Sequence, residues 1–415
     1  MNKRIVAIDV LRGFALMGIL LMNMSSFAMP SWAYSNPVAY GGDDIWNRLA
    51  FSFSHIFADQ KMMALFSMLF GASVILVTRN MEKKGQSSFK FHYLRNFWLL
   101  IIGLLHSVLV WDGDILMIYA ICSFVLYLLR KLSAKWQFGL GLFIFFVPAF
   151  YNVWANSALP SLQTADLQSL EVAWQPTDAD IAEEITYYQG DYGNQVAWRL
   201  GTADSGTDNT YTDGQAILDL GQTLEFFLRA FGMMLIGMAY YNWGVLTAKR
   251  SDDFYWKLAA VGFGLGLPLV LIGLFQFTAN GWSATHSLFV GRNWNHLATP
   301  FIASGYIALV MLWSRSEFLN GLRDRLAAAG RMALTNYIGQ SILGTFIFYG
   351  FGLGLFGSAS RIQQWFFILL IWTIQLLFSK WWLSRYQYGP LEWLWRMLSR
   401  LQWQPLKKRV AISAG

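Results

Sequence analysis

The stretch GLLHSVLVWDGDILMIYA, residues 103–120, sets two apolar runs on either side of Asp112 and Gly113. The first run begins near residue 93 and the second ends near 130. Roughly 20 apolar residues cross a bilayer as a helix. The stretch therefore reads as a tight hairpin of two membrane spans. It also places His106 and Asp114 among leucine, isoleucine and valine, where ionisable groups are costly and usually face a cavity or each other.

The pattern repeats outward in both directions. Of 415 residues, 55% are hydrophobic and 13% are charged, with a mean hydropathy of +0.38. A soluble domain carries about 25% charged residues. Ten apolar spans lie near 5–29, 53–78, 93–111, 114–130, 136–155, 224–246, 255–277, 296–314, 328–352 and 362–384. The expected fold class is all-α: a polytopic helical membrane protein with about ten transmembrane helices. The alternating segments of about ten residues that mark a membrane barrel are absent. The single cysteine, Cys122, excludes an internal disulfide and a thiolate metal cluster, and reads as core. Asp9 and Arg12 interrupt the first apolar run, which reads as an uncleaved helix rather than a signal peptide.

Lysine and arginine collect at 1–4, 79–95, 130–135, 249–257, 315–331 and 385–409. These loops alternate as ten spans require when both termini are cytoplasmic. The longest intervening connection, 156–223, has eleven acidic residues and one arginine, Arg199, and reads as an acidic extracytoplasmic insert. The net charge of +7 thus marks a cytoplasmic membrane face and not a nucleic-acid surface. Four segments follow: a five-helix half at 1–155, the insert at 156–223, a second five-helix half at 224–388, and a tail at 389–415. Within the tail, Pro390 suits a first helical position. Leu391, Leu394, Trp395, Leu398 and Leu401 follow helical spacing, so the tail reads as an amphipathic helix lying on membrane lipid.

The polar residues inside the spans are the site candidates. Asp9 and Arg12 are three apart and pair on one helix face, which Asn23 shares with Arg12. Gly13 and Gly18 allow close approach of a neighbour. Arg95 and His106 share a face of the third span. Asp112, Asp114, Trp111 and Tyr119 flank the mouth of the hairpin. A histidine oriented by Asp114 or Asp112 is the combination a base near neutral pH needs; a hydrogen-bonded structural histidine is the plain alternative. Arg331, Asn336 and Gln340 line a pocket or tie helices together. Arg292, Asn293, Asn295 and His296 read as an interfacial polar loop or as a site for an anionic or sugar-like acceptor. His55 is ambiguous in the same way, and His92, in a basic loop, reads as solvated. One histidine and two aspartates without ligand spacing are only a weak, unspecific signal for a metal site, and none is assigned. No P-loop or G-x-S-x-G elbow occurs, which argues against ATP-driven transport and serine hydrolysis. Gly262, Gly264 and Gly266 sit in an apolar helix and read as packing.

Several blocks resemble the YeiB family of bacterial inner-membrane proteins: IDVLRGFALMGILLMN (8–23), KMMALFSMLFGAS (61–73), the opening hairpin, GRMALTNYIGQS (330–341) and GPLEWLWR (389–396). The resemblance implies a multi-pass protein of the bacterial inner membrane. The D-x-x-R-G opening is also similar to transmembrane acyltransferases of the heparan-glucosaminide N-acetyltransferase type. That similarity implies an acyl-CoA donor bound from the cytoplasm and an extracytoplasmic hydroxyl or amine acceptor on a glycan or lipid. Arg12, Arg95 and Arg331 would then draw the donor's phosphates. His106 with Asp114 or Asp112 would deprotonate the acceptor, and Asn23, Asn336 or Gln340 would stabilise the oxyanion. The carry-over is partial. Asp59 and LFSMLFG match that group, but 30–54 holds no histidine, and His55 stands closer to Asp59 than the pattern has it. The alternative is a secondary transporter or flippase, with His106 and Asp114 titrating on a substrate path. A homodimer is compatible with either.

Overall fold

The computed structural model describes residues 6–42, 44–200, 202 and 212–408. The basic residues at 1–4, part of the acidic insert and the end of the tail lie outside the described residues. The chain runs through α1 (Val6–Ala28), α2 (Ile45–Phe57), α3 (Lys61–Glu82), α4 (Ser88–Leu109), α5 (Leu116–Leu129) and α6 (Ala134–Ala158). The insert folds as α7 (Thr164–Trp174), α8 (Asp178–Gln189) and α9 (Tyr192–Arg199). Then come α10 (Asp213–Asn242), α11 (Asp252–Ala279), the short α12 (Ala284–His286), a π-helical turn at Ser287–Gly291, and α13 (Arg292–Trp313). The chain ends with α14 (Asn320–Arg331), α15 (Ala333–Phe348), α16 (Arg361–Arg385) and α17 (Pro390–Arg400). No strand of a sheet occurs among the described residues.

Seven helical stretches among the described residues are long and apolar enough to cross a membrane: Val6–Ala28, Ile45–Glu82, Ala134–Ser161, Asp213–Asn242, Asp252–Ala279, Ala284–Trp313 and Arg361–Arg385. The protein is therefore a polytopic helical membrane protein. The other three expected spans are also helices. Two are short, α5 with 14 residues and α15 with 16, and α4 carries Lys90 and Arg95 in its first half.

Local chemistry fixes the helix starts. Ser87, Ser133, Ser251 and Ser360 each accept a backbone N–H at the start of α4, α6, α11 and α16. Two spans are broken. Between α2 and α3 the chain turns at 58–60, where Gln60 takes φ +63°. Between α14 and α15 it breaks at Met332. Non-helical backbone at membrane depth survives only where protein or a cavity covers it.

Glycines set the closest crossings. A Cβ on Gly13 would lie 2.0 Å from the Leu326 carbonyl oxygen, and one on Gly330 would lie 2.0 Å from that of Asp9, so α1 and α14 touch backbone to backbone. Gly71 and Gly237 do the same for α3 and α10. On α11, Gly262 and Gly266 press on α13, whereas Gly264 faces open space. α10 packs between α6 and α3, and α17 lies on α4, so helices from the two halves of the sequence interleave.

The bundle has two distinct ends. At the basic end, Arg79 donates to Asn242 (2.8 Å), and Asn242 donates to Gln137 (2.9 Å). At the insert end, Asn36 donates to the Trp174 carbonyl (2.9 Å), and Ser31 N–H donates to both Glu184 carboxylate oxygens (3.0 and 3.1 Å). Burial pushes the Glu184 carboxyl up to about 7. Arg199 and Tyr192 of α9 donate to the carbonyls of Val110 (2.5 Å) and Leu109 (2.7 Å), fastening the insert onto the hairpin turn. His92 departs from expectation. It lies inside α4, not in a solvated loop, and is buried with Nε2 2.9 Å from the Ser123 carbonyl oxygen.

Candidate functional site

A cavity of about 500 Å³ lies at the basic end, within the range of small-molecule sites. Arg12 on α1, Lys84 after α3, Arg95 on α4, Arg331 on α14, and Arg396 and Arg400 on α17 line its mouth. They enter from five parts of the chain, and Arg12, Arg95 and Arg331 are each tethered. Arg12 donates to Asp9 (3.2 Å) and to the Gly330 carbonyl (3.3 Å), which the glycine crossing brings within reach. The Arg95 guanidinium stacks 4.2 Å above the Trp395 ring, and the Trp395 indole N–H donates to the Arg95 carbonyl (2.8 Å). Arg331 donates to the Gln387 carbonyl (3.3 Å). The cavity's acidic side chain, Glu392, is turned to the start of α15, accepting from Leu334 N–H (2.7 Å), Thr335 N–H (3.1 Å) and the Thr335 hydroxyl (2.6 Å). Deeper in, the walls become apolar: Ile19, Phe66, Leu69, Phe70, Leu99 and Leu116, with Tyr119 and Tyr337. A basic mouth above an apolar depth fits a phosphate-bearing amphiphile.

His106 and Asp114 lie behind the cavity's inner wall. His106 Nδ1 stands 2.8 Å from Asp114 Oδ1, and both side chains are 1% exposed. The carboxylate makes Nδ1 the protonated nitrogen. Nε2 is buried without a hydrogen-bond partner among the described residues. Asp114 Oδ2 accepts from Met117 N–H (2.8 Å) and so also caps α5. The His106 ring lies 5.4 Å from that of Tyr337, whose hydroxyl accepts from Ile115 N–H (3.2 Å).

Other expected residues separate from this set. Asp112 is exposed in the turn. Trp111 is buried against Phe27, with ring centroids 4.5 Å apart. Asn23 is half-buried and is not among the residues lining the cavity. Asn336 donates to the Ser379 hydroxyl (2.9 Å), and Gln340 donates to Gln375 (3.0 Å) and the Leu16 carbonyl (3.3 Å). These two amides tie α15 to α16 and α1, the tying role the sequence left open.

A second cavity, of about 40 Å³, lies at the insert end. Ser25, Tyr34, Phe51, His55, Asp59 and Trp365 are among its walls. His55 Nδ1 stands 3.4 Å from Asp59 Oδ2, and His55 Nε2 is buried without a hydrogen-bond partner among the described residues. Asp59 occupies the break between α2 and α3. It accepts from the Tyr34 hydroxyl (3.0 Å) and the Asn295 amide (2.7 Å). Lys61 is fully buried and donates to the His55 carbonyl (2.7 Å) and to Asn295. Behind them, Glu225 holds Arg229 (2.7 Å) and Arg292 (3.2 Å). Arg292, Asn293, Asn295 and His296 lie in the first turns of α13 and not in a loop, and His296 is structural, bonded to the Phe145 carbonyl (2.7 Å) and stacked on its ring. Sequence reading missed Lys61, Glu225 and Arg229. The visible signal was Glu225 and Arg229 one helical turn apart at the start of an apolar span.

Fold and site thus define a polytopic helical membrane protein with a basic-mouthed cavity at one end and a histidine–aspartate cavity at the other. Residues 240–402 match a family described as "Protein of unknown function (DUF418)". The chain is 31% identical to "Uncharacterized protein YeiB" of Escherichia coli (strain K12), covering 96% of each chain. It is 29% identical to "Uncharacterized protein YxaH" of Bacillus subtilis (strain 168), covering 99% of this chain and 98% of that one. The chain belongs to the YeiB family.

Proposed function

We propose that this protein is a transmembrane acyltransferase that takes an acyl group from acyl-CoA and passes it to a hydroxyl or amine acceptor on the other side of the membrane. The observation that carries the reading is the convergence of Arg12, Arg95, Arg331 and Arg396 on one cavity whose depth is apolar. The loop charges favour a cytoplasmic basic end and a multi-pass inner-membrane location. The donor's phosphates lie among the arginines, and its pantetheine arm and acyl group lie along the apolar depth. The acceptor enters the insert-end cavity, where geometry favours His55 over His106 as the base, because His55 borders a cavity and His106 is sealed behind Tyr337. His55 Nε2 takes the acceptor's proton as the acceptor oxygen or nitrogen attacks the thioester carbonyl. The carbon–sulfur bond breaks, and the sulfur leaves with that proton as CoA thiol. His106 and Asp114 position the hairpin that walls the donor cavity.

The test is CoA-thiol release by purified protein given acetyl-CoA and a membrane-lipid and glycan extract. Wild type is expected to release thiol. His55→Ala should lose turnover by about 10²–10⁴-fold while still binding CoA. Absence of release, and of any thermal shift with acetyl-CoA, contradicts the reading. A carrier is the second reading, favoured by a broken helix at each cavity. Substrate flux into vesicles without thiol release would establish it.

A further inference from the structure

The basic-end cavity runs along one face of α3, and the insert-end cavity reaches the chain break just before that helix. Phe66, Leu69, Phe70, Ser73 and Val77 line the basic-end cavity, and Asp59, just before the helix, lines the insert-end cavity. In the chain Met62 and Met63 fall between Asp59 and Phe66, on the same i, i+3, i+4 stripe as Phe66, Leu69 and Phe70, and neither lines a cavity wall. α1 repeats the juxtaposition. Ile19 lines the basic-end cavity and Met22 the insert-end cavity, three residues or about 4.5 Å apart along the axis. At this level Gly18 receives the Met62 side chain: a Cβ on Gly18 would lie 2.4 Å from Met62 Cγ and Sδ. Met63 is held from the other side, its carbonyl accepting from the Ser67 and Tyr119 hydroxyls (2.9 and 3.1 Å) and its sulfur 3.9 Å from Arg229 Nη2. Both methionines are buried.

We infer that the cavities are two halves of a single substrate path, closed by a septum of Met62 and Met63, and that the acyl end of the donor crosses there to reach the insert-end cavity. The crossing of an acyl group rests on the acyltransferase reading; the septum does not. Methionine suits the position. Its unbranched side chain changes rotamer easily and its thioether tolerates an apolar chain, while an apolar constriction excludes water and ions when nothing occupies it. Gly18 supplies the recess in which Met62 rests, and an alanine there would push the side chain out.

The test is cysteine accessibility in vesicles, in a Cys122→Ala background, with a membrane-impermeant sulfonated maleimide applied from each side. Ser25→Cys reports the insert-end cavity and Ser73→Cys the basic-end cavity. Each is expected to react from its own side only. Adding Met62→Ala, or Met62→Ala with Met63→Ala, should give Ser73→Cys new reactivity from the insert side while its reactivity from the basic side is kept. That retained labelling shows that the variant is folded. Two-sided labelling of Ser73→Cys with both methionines present overturns the septum. So does one-sided labelling that neither methionine variant changes. Labelling needs no turnover, so opening by Met62→Ala in a protein that releases no CoA thiol would refute the enzyme reading and leave the path intact.

Discussion

Asp114 does two jobs with two oxygens. One holds His106 and the other caps α5. Asp114→Ala removes both, leaving a buried histidine without its partner and α5 without its cap. Loss of a cap costs about 1 kcal/mol, and leaving the buried histidine N–H without its acceptor costs about 1–3 kcal/mol. Asp114→Asn keeps an acceptor for the cap and loses the charge, so it should melt between wild type and Asp114→Ala in a thermal unfolding series in detergent. Equal melting of all three would show that the pair is not structural. Glu184 makes a pH-dependent claim. Its carboxyl sits at about 7 when docked, above its ordinary value of 4.5, so the folded form holds a proton that the undocked form has released. Docking of the insert should therefore weaken as pH rises from about 4.5 to about 7 and level off above. Hydrogen exchange around Ser31 should accelerate over that window, and Glu184→Gln should flatten the profile. The Asp9–Arg12 and His106–Asp114 pairs were legible from sequence because helical spacing and a short turn determine them. The Asp59–Asn295 contact was not, since 236 residues separate its members.

At the scale of elements, glycine spacing sorts helix faces. Gly13→Ala puts a methyl group into the Leu326 carbonyl, an overpacking that costs about 1–3 kcal/mol. Gly264→Ala meets nothing within 4 Å and should leave stability unchanged or raised by about 0.5–1 kcal/mol. Melting temperatures of the two variants in one detergent measure this contrast, and a Gly13→Ala as harmless as Gly264→Ala would refute the α1–α14 crossing. Hydrophobic runs made the spans readable but concealed the breaks at 58–60 and Met332. The break at 58–60 has no proline or glycine to mark it, since Gln60 adopts a positive φ without being glycine, and Gly330, two residues before Met332, lies inside α14 and serves the crossing with α1. What holds that bend is the network around Asp59 and Lys61, and a network assembled from distant helices leaves no local pattern.

For the whole molecule, interleaving matters most. The basic residues of the cavity mouth come from α1, α4, α14, α17 and the loop after α3, so no single segment could disclose them. The sequence pointed to Arg12, Arg95 and Arg331 as phosphate ligands. The fold collects them and adds Lys84, Arg396 and Arg400, which sequence reading had assigned only to a basic loop and an interfacial helix. Binding at this mouth should be salt-sensitive, because several cations act together. The most direct measurement is the affinity of a non-transferable acyl-CoA thioether for wild type, Arg95→Ala and Arg331→Ala protein in nanodiscs of neutral lipid, at low and high salt. The account predicts saturable binding that weakens about 10-fold or more in each arginine variant, as expected for loss of a charge-assisted phosphate contact worth about 1.5–3 kcal/mol, and that weakens again with salt. No binding by wild type, or binding indifferent to both arginines, would contradict it.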